Sequence, residues 1–435
     1  MNAPAPRPSR RRFLRDSSLA LAGGSLLTTG LGASPLRRRE DELRVGLVGC
    51  GGRGTGAAAQ ALATSPDVRL VALADAFEDR LANCLATLEQ TAPEQVEVPG
   101  ERRFVGFGAC QALVEEDLDV VILATPPGFR PQHFEAAVDK GKHVFMEKPV
   151  AVDGPGVRRV LAAGERAAAQ GLKVGVGLQR HHDSAYLETV KRLQEGAIGD
   201  INLLRVYWNS AGVWVRPREA GQSEMEYQMR NWYYFNWLCG DHIVEQHIHN
   251  LDVANWVKGA TPVRAQGQGG RQVRTGPDHG EIYDHHVIEY TYADGTTLLS
   301  QCRHQPGTWS RVGESASGSE GTADIGGARI EAAGGWSWRH RGEVANAYQV
   351  EHDRLFAAIR AGTEHDETRT GAEATLTAVL GRMATYSGQV VSWEEALESE
   401  MALEPSAYAW DGTPPSLPDA EGRYVIAMPG ATRAF

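Results

Sequence analysis

The chain has 435 residues, enough for two domains and a leader segment. With 42% hydrophobic and 23% charged residues it has the composition of a globular protein. Its net charge of −11 opposes nucleic acid or an anionic membrane surface as a partner.

Ser9-Arg10-Arg11-Arg12-Phe13-Leu14-Arg15 is followed by an apolar, small-residue stretch over 17–31 and by Gly32-Ala33-Ser34. A basic region, an apolar region and a small-residue cleavage site in that order mark an export leader. Gly23, Gly24, Thr28, Thr29 and Gly30 make the apolar part too short and too weak to anchor in a membrane. The string resembles the twin-arginine export signal, S-R-R-x-F-L-[KR]. It implies a leader over 1–35, the twin-arginine translocase as a partner during export, and a periplasmic or other extracytoplasmic location. It also implies no membrane anchor after cleavage. That route carries folded proteins, so a cofactor could be loaded before export. The five cysteines, at 50, 84, 110, 239 and 302, form no CxxC pair and do not read as a disulfide framework, although an oxidising compartment would permit one bridge.

The next segment, 43–48, reads as a buried strand. Gly49-Cys50-Gly51-Gly52-Arg53-Gly54 follows at once, and 55–63 is an alanine-rich helix. This is G-x-G-x-x-G between strand and helix. The first glycine permits the tight turn, the second admits a pyrophosphate to the backbone, and the third lets helix pack on strand. The pyrophosphate would sit on the helix N-terminus. A second strand over 68–74 ends in Asp75, about 20 residues beyond Gly54, the spacing of a ribose-binding acid. A carboxylate there accepts from the ribose hydroxyls and repels a 2′-phosphate, so NAD is expected ahead of NADP.

The alternation continues with a strand over 119–124 ending in Thr125-Pro126-Pro127, and a helix over 131–140. A strand over 143–146 then ends in Glu147-Lys148-Pro149, and a helix over 156–169 leads to a strand over 173–178. Strands alternating with helices predict an α/β, Rossmann-type domain over 42–180, with ligand groups at the carboxyl ends of its strands. Gly49, Gly51, Gly52, Arg53, Gly54, Asp75, Thr125, Pro126, Glu147 and Lys148 all lie at such ends.

These motifs, together with Glu245-Gln246-His247-Ile248-His249-Asn250-Leu251-Asp252, resemble the glucose–fructose oxidoreductase / inositol dehydrogenase / MocA family over roughly 43–390. In that family an EKP motif supplies a catalytic lysine near the nicotinamide, and an acid-x-x-x-His-x-x-Asp segment supplies a catalytic histidine. The resemblance therefore implies Lys148, His249 and Glu245 as catalytic residues; Glu245 stands where the family commonly has Asp. The chemistry agrees. Alcohol oxidation needs a base for the hydroxyl proton, which histidine suits, and a cation that stabilises developing alkoxide charge. A helix over 243–257 would set Glu245, His249 and Asp252 on one face, with His242 and His247 pointing elsewhere.

Beyond residue 180 the pattern changes. A helix over 186–196 precedes strands over 202–209, 263–268, 285–292, 296–303 and 321–325, and Tyr292-Ala293-Asp294-Gly295 reads as a hairpin turn. This predicts an α+β domain over 181–400 with an open, mostly antiparallel sheet, closed by helices over 347–361 and 372–387. The family uses that sheet for oligomer contacts, implying a homodimer or homotetramer. Residues 401–435 read as a wrapped or loose C-terminal extension.

The stretch 207–237 holds four of the chain's ten tryptophans, and aromatic faces stack on pyranose rings. Core packing is the competing reading for more than half of that cluster. Arg180, Trp232, Tyr233 and Asp252 are the expected substrate contacts, with Arg216, Arg218, Arg230 and Asn231 as further candidates nearby. His181-His182-Asp183 and Asp284-His285-His286 prompt the question of a metal, but strand neighbours point to opposite faces, so no metal is expected.

Together these readings describe an exported, NAD-dependent oxidoreductase acting on a ring hydroxyl of a sugar, glycoside or polyol, with a tightly bound cofactor. Two alternatives compete with it. One is a redox-neutral glycosidase that oxidises a ring carbon, eliminates the aglycone and reduces the product. Related proteins of that kind tend to lack the EKP lysine, which this chain keeps. The other is a non-catalytic sugar or nucleotide sensor, against which Lys148 and His249 both count.

Overall fold

The computed structural model describes residues 42–435, which form one compact unit. The leader expected over 1–35 lies outside the described residues.

Six short strands, β1 (Leu43–Val48), β2 (Val68–Asp75), β3 (Arg103–Val105), β4 (Val120–Leu123), β5 (His143–Met146) and β6 (Val174–Val176), form a wholly parallel sheet. Its order is β3-β2-β1-β4-β5-β6. The central strands are runs of Val, Ile and Leu without alternation, because both faces are covered. Val45 and Leu47 face one layer, α1 (Gly52–Ala63) and α2 (Glu78–Thr91), while Val48 faces the other, α3 (Ala109–Val114), α4 (Arg130–Asp139) and α5 (Gly154–Ala169). The strand order reverses between β1 and β4, which opens a crevice at their carboxyl ends.

The chain then leaves this sheet through α6 (Ser184–Gln194) and enters a nine-stranded sheet at β7 (Ile201–Ser210). Four short helices follow: α7 (Glu224–Arg230), α8 (Asn236–Cys239), α9 (His242–Glu245) and α10 (Ile248–Lys258). The remaining strands are β8 (Arg264–Gly270), β9 (His285–Thr291), β10 (Thr297–His304), β11 (Arg311–Gly318), β12 (Gly321–Asp324), β13 (Arg329–Ala332), β14 (Ser337–Arg339) and β15 (Val391–Ser392). The order is β14-β13-β12-β11-β7-β10-β9-β8-β15, antiparallel except where β7 lies parallel to β10. Along β9 and β10 alternate residues are buried: His286, Ile288 and Tyr290, then Leu298, Ser300, Cys302 and His304. The opposite face leaves Val287 and Leu299 exposed.

Three C-terminal helices tie the halves together: α11 (Ala347–Ala361), α12 (Thr368–Ser387) and α13 (Trp393–Glu398). Leu355 and Phe356 of α11 complete the core beneath β1, β4 and β5. Helix α12 is buried almost all round and packs on α5, α10 and β8, as a helix between two layers must. The last segment wraps the surface. Leu403 N donates to Asp153 Oδ2 at 2.7 Å, Tyr424 hydroxyl donates to Glu224 Oε1 at 2.5 Å, and Trp410 packs on Phe107 with centroids 4.7 Å apart. All five cysteines are buried and unpaired. Among the described residues no helix is long and apolar enough to cross a membrane.

Candidate active site

A cleft of about 540 Å³ opens where β1 and β4 part, and the motif residues of the first sheet line it. Gly49 turns the chain at φ 99°, a left-handed conformation that disfavours other residues. A Cβ on Gly54 would stand 1.8 Å from the Gly49 carbonyl oxygen, so α1 can approach β1 only with glycine there. Gly51 and Gly52 have open space where a Cβ would lie and so bare the start of α1 to the cleft. That fits a pyrophosphate on the helix N-terminus. Asp75, at the end of β2, accepts from Cys50 N at 2.6 Å and Phe77 N at 2.9 Å, which holds its carboxylate at the cleft edge. Burial pushes its pKa up. These features fit a dinucleotide whose ribose hydroxyls reach Asp75.

Thr125 and Glu147, at the ends of β4 and β5, are fixed by a residue not singled out in the sequence, Arg130. Its wholly buried guanidinium donates to the Thr125 carbonyl at 2.6 Å and the Glu147 carbonyl at 3.0 Å. The Glu147 carboxylate receives Arg53 Nε at 2.5 Å and sits against Gly177, where a Cβ would collide with it. Arg53 in turn lies under the ring of Tyr348, which α11 brings to the cleft. Tyr348 and Arg130 had no local signal, because their partners are remote in sequence or are backbone groups.

Lys148, Glu245 and His249 converge at the inner end of the cleft. Lys148 Nζ donates to the Glu245 carbonyl and lies 3.3 Å from its Oε1. The Lys148–Pro149 peptide is cis. Burial raises the pKa of Glu245, against the lowering effect of Lys148. His249 is buried near Trp208 of β7, ring centroids 6.1 Å apart, and its Nδ1 has no partner. Burial first, then the charges of Lys148 and Arg180, hold His249 well below its usual pKa, so it is a neutral imidazole at pH 7.

The single helix expected over 243–257 is broken. Helix α9 ends at Glu245, Gln246 departs at φ −111°, and α10 starts anew at Ile248. Glu245 and His249 still reach the cleft, but Asp252 does not. Its carboxylate turns to His181 Nε2 at 2.9 Å. Two other expected substrate contacts also lie off the cleft. Arg180 pairs with the buried Glu314 of β11 beside Tyr186. Tyr233 is buried with its ring near His304. Trp232 does line the cleft, edge-on to Trp214, and so do Arg216 and Arg230. Arg218 pairs with Glu224, and Asn231 is buried with its amide on the Asp278 carbonyl. Charge balance and packing claim these side chains, and neither is visible in a local pattern.

Residues 43–178 match the family model GFO_IDH_MocA, described as "Oxidoreductase family, NAD-binding Rossmann fold". A myo-inositol dehydrogenase of Streptomyces leeuwenhoekii is 27% identical over 290 residues, 64% of this chain and 82% of that protein. An inositol 2-dehydrogenase of Rhizobium meliloti is 27% identical over 51% of this chain. The chain spans only 56% of that protein's length, and 58% of a scyllo-inositol 2-dehydrogenase of Bacillus subtilis. Among solved structures, an aldose–aldose oxidoreductase of Caulobacter crescentus superposes with a TM-score of 0.63 at 20% identity, over 81% of this chain and 99% of that one. The scyllo-inositol dehydrogenase of Lactobacillus casei with NAD(H) and scyllo-inositol does so at 0.62, over 81% and 99%. Residues 43–178 are thus similar to the NAD-binding Rossmann domains of that oxidoreductase family.

Proposed function

We propose that this enzyme oxidises a ring hydroxyl of a sugar, glycoside or polyol by hydride transfer to NAD, that it acts outside the cytoplasm after twin-arginine export, and that it keeps its cofactor bound. The observation that carries the chemistry is the meeting of Lys148, Glu245 and a neutral His249 at the inner end of the dinucleotide cleft. NAD, when bound, supplies the hydride acceptor. Lys148 is placed to donate a hydrogen bond to the substrate oxygen and to stabilise the charge that develops as its carbon loses hydride. His249 has a free lone pair and takes the hydroxyl proton. Glu245 holds Lys148 in place. The names of the inositol dehydrogenase relatives support a polyhydroxylated ring, as do Trp214, Trp232 and Arg216 along the cleft.

Little free NAD exists outside the cytoplasm, so retention of the cofactor follows from the proposed location. Either a second substrate then recycles it or electrons pass to another acceptor. The exposed Val287 and Leu299 on the open sheet face support a dimer or tetramer of this chain.

The test uses mature protein with no added cofactor, mixed with nitrophenyl glycosides. Reduced-nicotinamide absorbance and nitrophenol release are recorded together. A single-turnover rise in absorbance without nitrophenol is expected. Sustained nitrophenol release with no net reduction would replace this reading with the redox-neutral glycosidase.

A further inference from the structure

Among the described residues, one group of side chains away from the cleft has the makings of a metal site. Asp241, His242 and His286 each offer a ligand atom within 4.8 Å of the other two, and all three are wholly buried. Asp241 precedes α9 at φ 76°, a conformation that costs strain in any residue with a Cβ. His286 comes from the inner face of β9, and α12 closes the site.

Hydrogen bonds decide which ring nitrogen carries the proton. Thr385 Oγ1 gives its single hydrogen to the carbonyl of Gly381 or Arg382, so it accepts from His286 Nδ1 at 2.9 Å. In the neutral ring Nε2 is then a bare lone pair, and it faces Asp241 Oδ2 at 3.4 Å. That oxygen already accepts from Tyr386 hydroxyl at 2.5 Å and Tyr283 N at 2.9 Å. His242 Nδ1 lies 2.7 Å from Asp241 Oδ1, while its Nε2, on the far side of the ring, has no partner. His304 donates Nε2–H to Gln246 Oε1 at 2.6 Å, leaving a bare, unpartnered Nδ1. The ring of His242 lies 4.9 Å from that of His286 and 4.5 Å from that of His304. Two ring nitrogens, His242 Nδ1 and His286 Nε2, thus face one buried carboxylate. The His286 ring is anchored through its other nitrogen, the arrangement that orients metal-ligating histidines.

We propose that the Asp241 carboxylate, His242 Nδ1 and His286 Nε2 bind one first-row divalent transition ion, which takes the place of the proton between His242 and Asp241; imidazole nitrogens and a carboxylate make a zinc-type donor set. The expectation of no metal drawn from adjacent residue pairs is revised accordingly: Asp284 serves its own loop and His285, whereas His286 joins Asp241 and His242 from a distant strand. The ion has a bracing role. It locks the turn into α9, whose far end presents Glu245 to Lys148.

The experiment is metal analysis of the full chain purified without chelator, by plasma mass spectrometry, with anomalous diffraction at the edge of the element found. One equivalent per chain and an anomalous peak between Asp241 and His286 are expected. After chelator treatment, addition of CoCl2 should produce visible d–d absorption bands, which His286→Asn should abolish. If His286→Asn does not fold, the wild-type anomalous map and cobalt spectrum decide alone. A metal content far below one equivalent with no cobalt bands, or an anomalous peak elsewhere, overturns the proposal.

Discussion

The two walls of the cleft are built by different means. One wall is the row of strand ends in the parallel sheet, where each functional residue directly follows a buried strand: Gly49 after β1, Asp75 at the end of β2, Thr125 just beyond β4, Glu147 and Lys148 after β5. The opposite wall is assembled from α9, α10, the loop before α7, and α11, and its side chains are aimed by a break at Gln246 and by remote partners. On the first wall chain position is geometry, because a strand end has one place in a Rossmann sheet. On the second, neighbours in sequence part company. His249 faces the cleft, while Asp252, one turn further on the same helix, faces His181.

The sharpest way to break this comparison is at Lys148, where the walls touch. Lys148→Met should leave NAD binding intact and lower turnover by about 10² to 10³-fold or more, by analogy with loss of one charge-stabilising donor. It also leaves the buried Glu245 carboxylate without its cation, so the variant should melt lower. Adding Glu245→Gln should restore the melting temperature but not the turnover. Turnover that survives Lys148→Met would show the assigned chemistry to be wrong.

A smaller effect tests the first wall alone. Asp75→Ala should weaken NAD by about tenfold, the loss of roughly one charged hydrogen bond. NADP should weaken less or gain, because the repelling carboxylate is gone and Arg80 lines the same part of the cleft. Isothermal titration with both dinucleotides measures the ratio; an unchanged ratio would remove Asp75 from cofactor selection.

The smallest effect tests the second wall. Asp252→Asn should leave kcat nearly unchanged and cost stability of about 1 kcal/mol, the worth of a partly buried hydrogen bond to a charged group. For His181, burial lowers the pKa, but the Asp252 charge and hydrogen bond outweigh it and the net shift is upward. A raised folded-state pKa contributes stability below the unfolded value, and that contribution is lost as pH rises through the folded value. The difference between wild type and Asp252→Asn should therefore be largest near pH 6 and shrink by pH 9 in urea unfolding. A large loss of kcat instead would return Asp252 to the site.

Much of the cleft was legible because its signals are local. G-x-G-x-x-G needs only the tight turn at Gly49 and the bare α1 start, and Asp75 needs only the length of one βα unit. Glu147-Lys148-Pro149 follows a strand too apolar to be anything but buried. The parallel sheet and the long C-terminal helices were readable from the same alternation and periodicity. Arg130 and Tyr348 left no such trace, since the first is recognised by backbone carbonyls and the second arrives on α11. Arg180 and Tyr233 read as substrate contacts by proximity in sequence, yet Glu314 and the core around His304 hold them away.

What the sequence determined by itself was the row of residues along the dinucleotide wall, from Gly49 to Lys148, because strand ends and glycine turns convert spacing directly into position. What only the tertiary structure decided was the direction of each side chain on the far wall and the gathering of Asp241, His242, His286 and His304. A one-residue break at Gln246 and the crossing of β9, β10 and α12 set those directions. Buried charges and lone pairs then take whichever partner the packing brings within reach.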